Sequence, residues 1–305
     1  MQRFYSNGKL LLSGEYLILD GATGLALPTK QGQEMLVDTH KSAGILFWES
    51  RDHLDHIWFE GSFKLPEFEL IAYTGDRQVA KTLQRILIEA RMAHPGFLPS
   101  DRGIQVSTKL QFPSDWGLGS SSTLINNIAQ WANVNAFDLL FKSFGGSGYD
   151  IACAQYDRAI LYKLDNKMPH IEMVDFDPMF KEHLFFVHLN KKQVSSKSIA
   201  KYRKKNVEPK MLKAVSDISQ KLLTSDGLED FNNLLKEHEA IISGILGIEP
   251  VQKTLFPDFI GQTKSLGAWG GDFILATGDE SVKTYFNRKG FKTVIPYTSM
   301  IKSHE

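Results

Sequence analysis

The chain holds one cysteine, Cys153, among 305 residues, so no internal disulfide can form and no cysteine-based metal site is expected. That scarcity fits a reducing compartment. No apolar run approaches the ~20 residues needed to span a bilayer. The segment Met1-Gln2-Arg3-Phe4-Tyr5-Ser6-Asn7 also lacks the basic-then-apolar pattern of a signal peptide. A cytoplasmic protein with no membrane partner is the expectation. Charge of one sign is missing too: Lys+Arg and Asp+Glu both number 35, so no net field attracts nucleic acid or an anionic surface. Any anion site must be local. The histidines show no zinc spacing; His53 and His56 lie three apart without a third ligand and read as surface residues. There is no G-x-x-x-x-G-K-[ST], which excludes a Walker-type phosphate loop. Nor does a G-x-G-x-x-G open a βαβ unit, which disfavours a dinucleotide fold.

What remains is an ordinary globular composition, 42% hydrophobic and 23% charged, with length for two domains. Residues 3–62 are β-rich, with short apolar runs at Lys9-Leu10-Leu11-Leu12, Met35-Leu36-Val37 and Gly44-Ile45-Leu46-Phe47-Trp48. Val79, Leu83, Ile86, Leu87 and Ala90 share one helical face within 77–93. A strand is expected at 104–110, a helix from Leu124 to Trp131, and a short helix from Ala136 to Ser143. Beyond about 156, strands at 159–162, 171–174 and 184–189 precede helices at 195–205, 207–224 and 228–245. A strand at 272–276, a helix near 280–289 and a strand at 292–295 complete the pattern. The mixture lacks strict βαβ alternation and predicts an α+β fold with helices on largely antiparallel sheets.

The stretch Pro113-Ser114-Asp115-Trp116-Gly117-Leu118-Gly119-Ser120-Ser121-Ser122-Thr123 places two glycines and four hydroxyl residues directly ahead of a helix. Glycines bring the backbone close to a ligand, and a helix start offers free N–H groups and a positive dipole end to an anion. Alone, the stretch is equally a Ser/Thr cap after a turn. Two more glycine turns follow, Gly145-Gly146-Ser147-Gly148 and Gly267-Ala268-Trp269-Gly270-Gly271, which favours one shared ligand. Asp150, just after the second turn, can accept a hydroxyl proton or hold a metal; it can also simply complement a helix dipole. Lys9 sits within an apolar strand, where its charge needs a partner or a surface. The basic run Lys201-Tyr202-Arg203-Lys204-Lys205 reads as a solvated helix face, and Cys153 as a buried helix residue.

Together these residues resemble the GHMP kinases, the family of galactokinase, homoserine kinase, mevalonate kinase and phosphomevalonate kinase. Gly8-Lys9-Leu10-Leu11-Leu12-Ser13-Gly14-Glu15-Tyr16-Leu17-Ile18-Leu19 is similar to the first family motif, in its mevalonate and phosphomevalonate kinase form. Residues 113–122 resemble the second motif, and 267–271 the third. Gly146-Ser147-Gly148-Tyr149-Asp150-Ile151-Ala152 resembles the segment of the catalytic aspartate, in the form of the subfamily named for its Gly-Tyr-Asp-Ile-Ala run. The matches keep the family order across nearly the whole chain.

The resemblance implies a ribosomal S5 domain 2-like N-terminal domain over 1–165, a ferredoxin-like C-terminal domain over 166–305, and an active site in the cleft between them. It implies ATP, Mg²⁺ and phosphoryl transfer to a small-molecule hydroxyl or phosphate, with mevalonate or phosphomevalonate expected as acceptor. Asp150 would take or orient the acceptor proton, and Lys9 would stabilise that carboxylate and the transferring phosphoryl group. Gly117, Leu118, Gly119, Ser120, Ser121 and Ser122 would hold the nucleotide phosphates, with Ser121 on Mg²⁺. Glu15, Ser147, Ser196, Gly267, Ala268 and Gly270 fall where substrate is met. No nucleic acid is expected, and a homodimer is left open.

There are departures from the family pattern. Only 29 positions separate Ser121 from Asp150 (150 − 121), and no Glu lies between them to serve as the usual metal ligand. Asp138 is the nearest substitute, with Asp150 the other acidic candidate. In the third motif Leu266 replaces a common Thr, and Trp269 and Asp272 are bulky or charged. A kinase for another alcohol, such as a sugar or amino-acid alcohol, and a non-catalytic ligand-binding homologue therefore stay open.

Overall fold

A computed structural model describes every residue except Lys192, Val194 and 303–305, and gives only the backbone for residues 195–197. The chain forms two compact units, one of Met1–Gly8, Gln31–Ser114 and Leu118–Gln155, the other of Lys9–Lys30, Asp115–Gly117 and Tyr156–Glu305. The strands β1 (Gln2–Leu11) and β2 (Gly24–His40) each contribute residues to both.

In the first unit, β3 (Ile45–Arg51), β4 (Ile57–Lys64), β5 (Glu69–Thr74) and β6 (Gly103–Leu110) join the second half of β2 in the order β5-β4-β3-β6-β2. All these pairs are antiparallel except β3 with β6. Alternation along β3 and β4 sends Leu46, Trp48, Phe59 and Phe63 inward, each at most 2% exposed. Helix α1 (Arg77–Ala93) starts where the Asp76 carboxylate accepts the Gln78 N–H at 2.7 Å. It buries Ala80, Leu83, Ile86, Leu87 and Ala90, the stripe expected from the 3.6-residue period. Helices α2 (Ser120–Ala132), α3 (Ala136–Ser143) and α4 (Tyr149–Gln155) complete this unit.

In the second unit the first half of β2 pairs with β7 (Ile160–Asp165), which pairs with β8 (Met168–Met173). A separate sheet runs β10-β11-β9-β12, from Thr263–Ser265, Phe273–Thr277, Leu184–His188 and Val294–Pro296, with antiparallel pairs throughout. Its helices are α5 (Ser195–Tyr202), α6 (Pro209–Leu223), α7 (Leu228–Leu246), α8 (Val251–Leu255), α9 (Ser281–Arg288) and α10 (Tyr297–Met300). Among the described residues no helix is long and apolar enough to cross a membrane.

The expected α+β class holds. The basic run at 201–205 is not one solvated helix face: α5 ends at Tyr202, and that ring is 2% exposed, stacked on Tyr16 at 5.3 Å. Its hydroxyl donates to Asp20, which also pairs with Arg203 at 2.7 Å. Lys201, Arg203, Lys204 and Lys205 are exposed, as expected; Tyr202 alone is held inward, by an acidic partner 182 positions away that local composition could not indicate.

Gly14 and Gly24 mark a close backbone crossing. A Cβ on Gly24 would stand 2.6 Å from the Ser13 carbonyl oxygen, and one on Gly14 would stand 2.7 Å from the Gly24 Cα. Gly244, inside α7, faces open space. Opposite responses to the same change are expected. Gly24→Ala should destabilise by about 1–3 kcal/mol through overpacking, whereas Gly244→Ala should stabilise by about 0.5–1 kcal/mol through helix propensity. Urea unfolding midpoints of the two variants check both signs.

Candidate active site

Lys9 projects from β1, and its ammonium donates to the Gly117 carbonyl at 2.7 Å. The single lysine of β1 thus reaches the glycine-rich loop 108 positions away. Gly117 sits at φ 66°, and a Cβ there would stand 2.6 Å from the Asp272 carboxyl carbon. Two turns that the sequence left separate therefore meet at one glycine. The loop is fixed further by Trp116, which packs edge-on against Phe273 at 5.4 Å between centroids, and by His188, whose Nε2 lies 3.2 Å from the Asp115 carbonyl.

Beyond Gly117, Leu118 is fully buried and Gly119 takes φ 91° as the residue before α2, with no side-chain cap. The hydroxyls of Ser122 and Thr123 turn back onto the Gly119 carbonyl at 2.8 and 3.1 Å. The hydroxyls of Ser120 and Ser121 make no hydrogen bond among the described residues. Ser121 is exposed. The first N–H groups of α2 have no intrahelical acceptor either, as at any helix start. A backbone cradle with two free hydroxyls is suited to phosphate oxygens and to a hard cation beside them. A plain Ser cap would have set a hydroxyl to accept from the first N–H groups of the helix, whereas the N-cap here is Gly119 and offers no side chain.

Asp150 lies in the first turn of α4, after Gly145, Gly146 and Gly148, all at positive φ. Its carboxylate is half-buried and accepts the Ile151 N–H at 3.1 Å. Ser147, 8% exposed, lies in the same turn, and Cys153 is fully buried behind it. Asp138 is exposed in α3, where Asn135 caps its N–H at 3.1 Å. Among the described residues no group of three or more His, Cys, Asp or Glu could hold a metal. A Mg²⁺ ion here would accordingly lean on Ser121, Asp150 and substrate phosphates, which suits a cation that keeps several waters.

The third turn is strained. Gly267, Trp269, Gly270 and Asp272 take φ of 62°, 40°, 85° and 51°, a left-handed region that costs non-glycine residues energy. Trp269 is 4% exposed and packs into a core with Tyr16, Leu17, Val215 and Ile242. Its bulk fills that core. The Asp272 carboxylate accepts the Gln193 N–H at 3.1 Å. Ala268 is 8% exposed. The side chain of Ser196 lies outside the described residues.

Glu15 is 1% exposed and is engaged by Lys264, whose ammonium donates to Oε1. Lys264, His238 and Glu239 around it carried no sequence signal. Lys264 stands in the three-residue strand β10, too short to show alternation, and His238 and Glu239 occupy the core face of an otherwise ordinary amphipathic helix.

No protein-family profile and no curated protein matches the chain. Solved structures do match in shape. Mevalonate kinase of Methanococcus jannaschii aligns with TM-score 0.70 and 14% identity over 96% of each chain. Phosphomevalonate kinase of Streptococcus pneumoniae, solved with phosphomevalonate and AMPPNP, aligns with TM-score 0.70 and 17% identity over 96% of this chain and 99% of its own. Galactokinase of Lactococcus lactis, complexed with galactose, aligns with TM-score 0.67 and 13% identity over 99% of this chain and 95% of its own. Similarity this complete at such low identity is a similarity of fold: the chain carries the two-domain α+β fold of the GHMP kinases.

Proposed function

We propose that the protein is an ATP-dependent kinase for a small-molecule acceptor of the mevalonate branch, either mevalonate or phosphomevalonate. The observation that carries this reading is the Lys9 ammonium held on the Gly117 carbonyl, at the start of a cradle whose Ser120 and Ser121 hydroxyls are free. Phosphoryl transfer needs placement and charge neutralisation more than covalent chemistry. The residues here offer both. The loop amides of 117–121 bind the nucleotide phosphates, and Lys9 sets a positive charge on that turn. Asp150 orients the acceptor hydroxyl, or accepts its proton as the acceptor oxygen bonds the γ-phosphorus and the bond from that phosphorus to the bridging oxygen breaks, with ADP leaving. Where phosphomevalonate is the acceptor, a phosphate oxygen attacks and Asp150 orients rather than deprotonates. Ser121 and Asp150 are the groups that would hold Mg²⁺, which when bound offsets phosphate charge. Mevalonate-branch chemistry is favoured over a sugar acceptor by the first motif, Gly8 through Leu19.

Two outcomes are expected in an assay of ATP consumption with mevalonate, phosphomevalonate and galactose offered separately. The wild-type protein should turn over one of the first two, and Asp150→Ala should lower kcat by about three to four powers of ten, or roughly 4–6 kcal/mol of barrier. Turnover with galactose alone would replace the acceptor assignment. ATP binding without transfer to any acceptor would remove the kinase reading. In the same assay Lys9→Met should cost about 10²–10³-fold in kcat, the scale of losing one preorganised charge donor.

A further inference from the structure

Four ionisable side chains lie buried together outside the groups assigned above. Glu15, His238, Glu239 and Lys264 are each at most 2% exposed, and they come from three separated segments. Buried charge is tolerated only when paired and hydrogen-bonded. Lys264 donates to Glu15 Oε1 and to the Ser265 carbonyl at 2.8 Å. His238 Nε2 accepts the Gly14 N–H at 3.0 Å. Burial and the neighbouring ammonium hold this imidazole well below its ordinary range, so it is neutral with its one proton on Nδ1. The 3.2 Å approach of Nε2 to Glu15 Oε2 is then a contact between two acceptors. Glu239 Oε1 accepts the Ser265 N–H at 3.0 Å, and its Oε2 has no partner among the described residues.

The charges balance in a narrow range. Burial, opposed by Lys264, raises Glu15 to about 6. Burial also raises Glu239 to about 8, with Lys264 opposing and Glu15 adding to the rise. The other ionisable group beside Glu15 is Tyr16, whose phenol is raised by burial and stays neutral. Glu239 therefore keeps its proton to higher pH than Glu15, and His238 is held neutral between them. Position gives the cluster its meaning. Glu15 lies six residues after Lys9, and Lys264 lies eight residues before Asp272. Lys9 and Asp272 both arrive at Gly117.

We propose that Lys264 is a positioning residue that locks the first-motif turn at 14–16 to the third glycine turn at 266–272, so that Lys9 and Asp272 reach Gly117 together. The catalytic consequence rests on the kinase reading; the lock itself does not. Lys264 acts through Glu15 on one side and through its own strand, by way of Ser265, on the other. Glu239, carrying a proton, closes the cluster without adding a second negative charge.

The test uses the full chain with Lys264→Met and the paired variant Lys264→Met/Glu15→Gln. The pair removes both charges, so folding survives even where the single change leaves a buried carboxylate alone. Amide hydrogen exchange read by mass spectrometry should rise at least tenfold at both 14–16 and 266–272 in the folded pair, with α9 unchanged. Exchange unchanged at either turn would overturn the lock. In wild-type protein with turnover, the folded pair should lower kcat/KM for ATP at least tenfold, because Lys9 and Asp272 no longer reach Gly117 together. An unchanged kcat/KM for ATP would overturn the positioning role. A wild type with no turnover would sink the kinase reading alone, because the exchange measurement still decides the lock.

The proton on Glu239 has its own signature. Folded Glu239 keeps it up to about pH 8 while the unfolded side chain releases it near 4.5. The Glu239 contribution therefore weakens folding as pH rises, and the folding constant should fall several-fold between pH 7 and 8, above the range in which an unfolded His238 takes up a proton and opposes the trend. Glu239→Gln should flatten that slope in urea titrations across the range; an unaltered slope would overturn the neutral-Glu239 arrangement.

Discussion

The contact between Lys264 and Glu15 joins segments of the second unit that lie 249 positions apart. A carboxylate and an ammonium share an interior from which water is excluded, and neither could remain there alone. Removal of one partner from such a pair typically costs about 3–5 kcal/mol because the other is left uncompensated. Around that pair the chain must bring Gly14 within reach of His238 and Ser265 within reach of Glu239. The close crossing of Gly14 over Gly24 is the steric counterpart of the same requirement, since a side chain at either position would hold the segments apart. A loop that could otherwise sample many conformations is thereby given one.

Much of this architecture was legible in residue order. Helix α1 follows directly from apolar periodicity, which is a local signal, and α3 occupies the span expected of it, Ala136 to Ser143. The turn into α2 was legible for the same reason: glycine, hydroxyl and helix start lie within one short stretch. Strand β2 was not. Its 17 residues carry Pro28, Lys30 and Gln31 between two apolar portions, so only Met35-Leu36-Val37 declared itself. The buried ionic cluster was invisible because its meaning is a distance in space, 249 positions apart in sequence for its central pair. Glu15 looked like part of a ligand-facing motif; its partner looked like any lysine.

The departures from the family pattern acquire physical content. Trp269 fills a core that includes Tyr16 and Tyr202, and Asp272 lies against the glycine that Lys9 engages. Neither is a random intrusion into a glycine turn. The shortened connection between Ser121 and Asp150 is taken up by α3 and the turn at 145–148, which carries Asp150 into the start of α4. The metal ligand expected from relatives has no glutamate counterpart in that stretch, and the free Ser121 hydroxyl and the half-buried Asp150 remain as oxygen donors.

Trp269 also bears on how such a chain can change. Its backbone sits in the left-handed region, which costs a bulky residue about 1–2 kcal/mol, while emptying so large a buried site costs about 3–5 kcal/mol. Glycine would relieve the first cost and incur the second. Any other large ring would keep the strain and lose the fit. No single substitution at this position is therefore neutral, and the loop can drift toward the ordinary family form only if a residue such as Tyr16 or Ile242 changes with it. The backbone of the turn and the packing of the core are thus set by one side chain, and neither can be altered at Trp269 without the other.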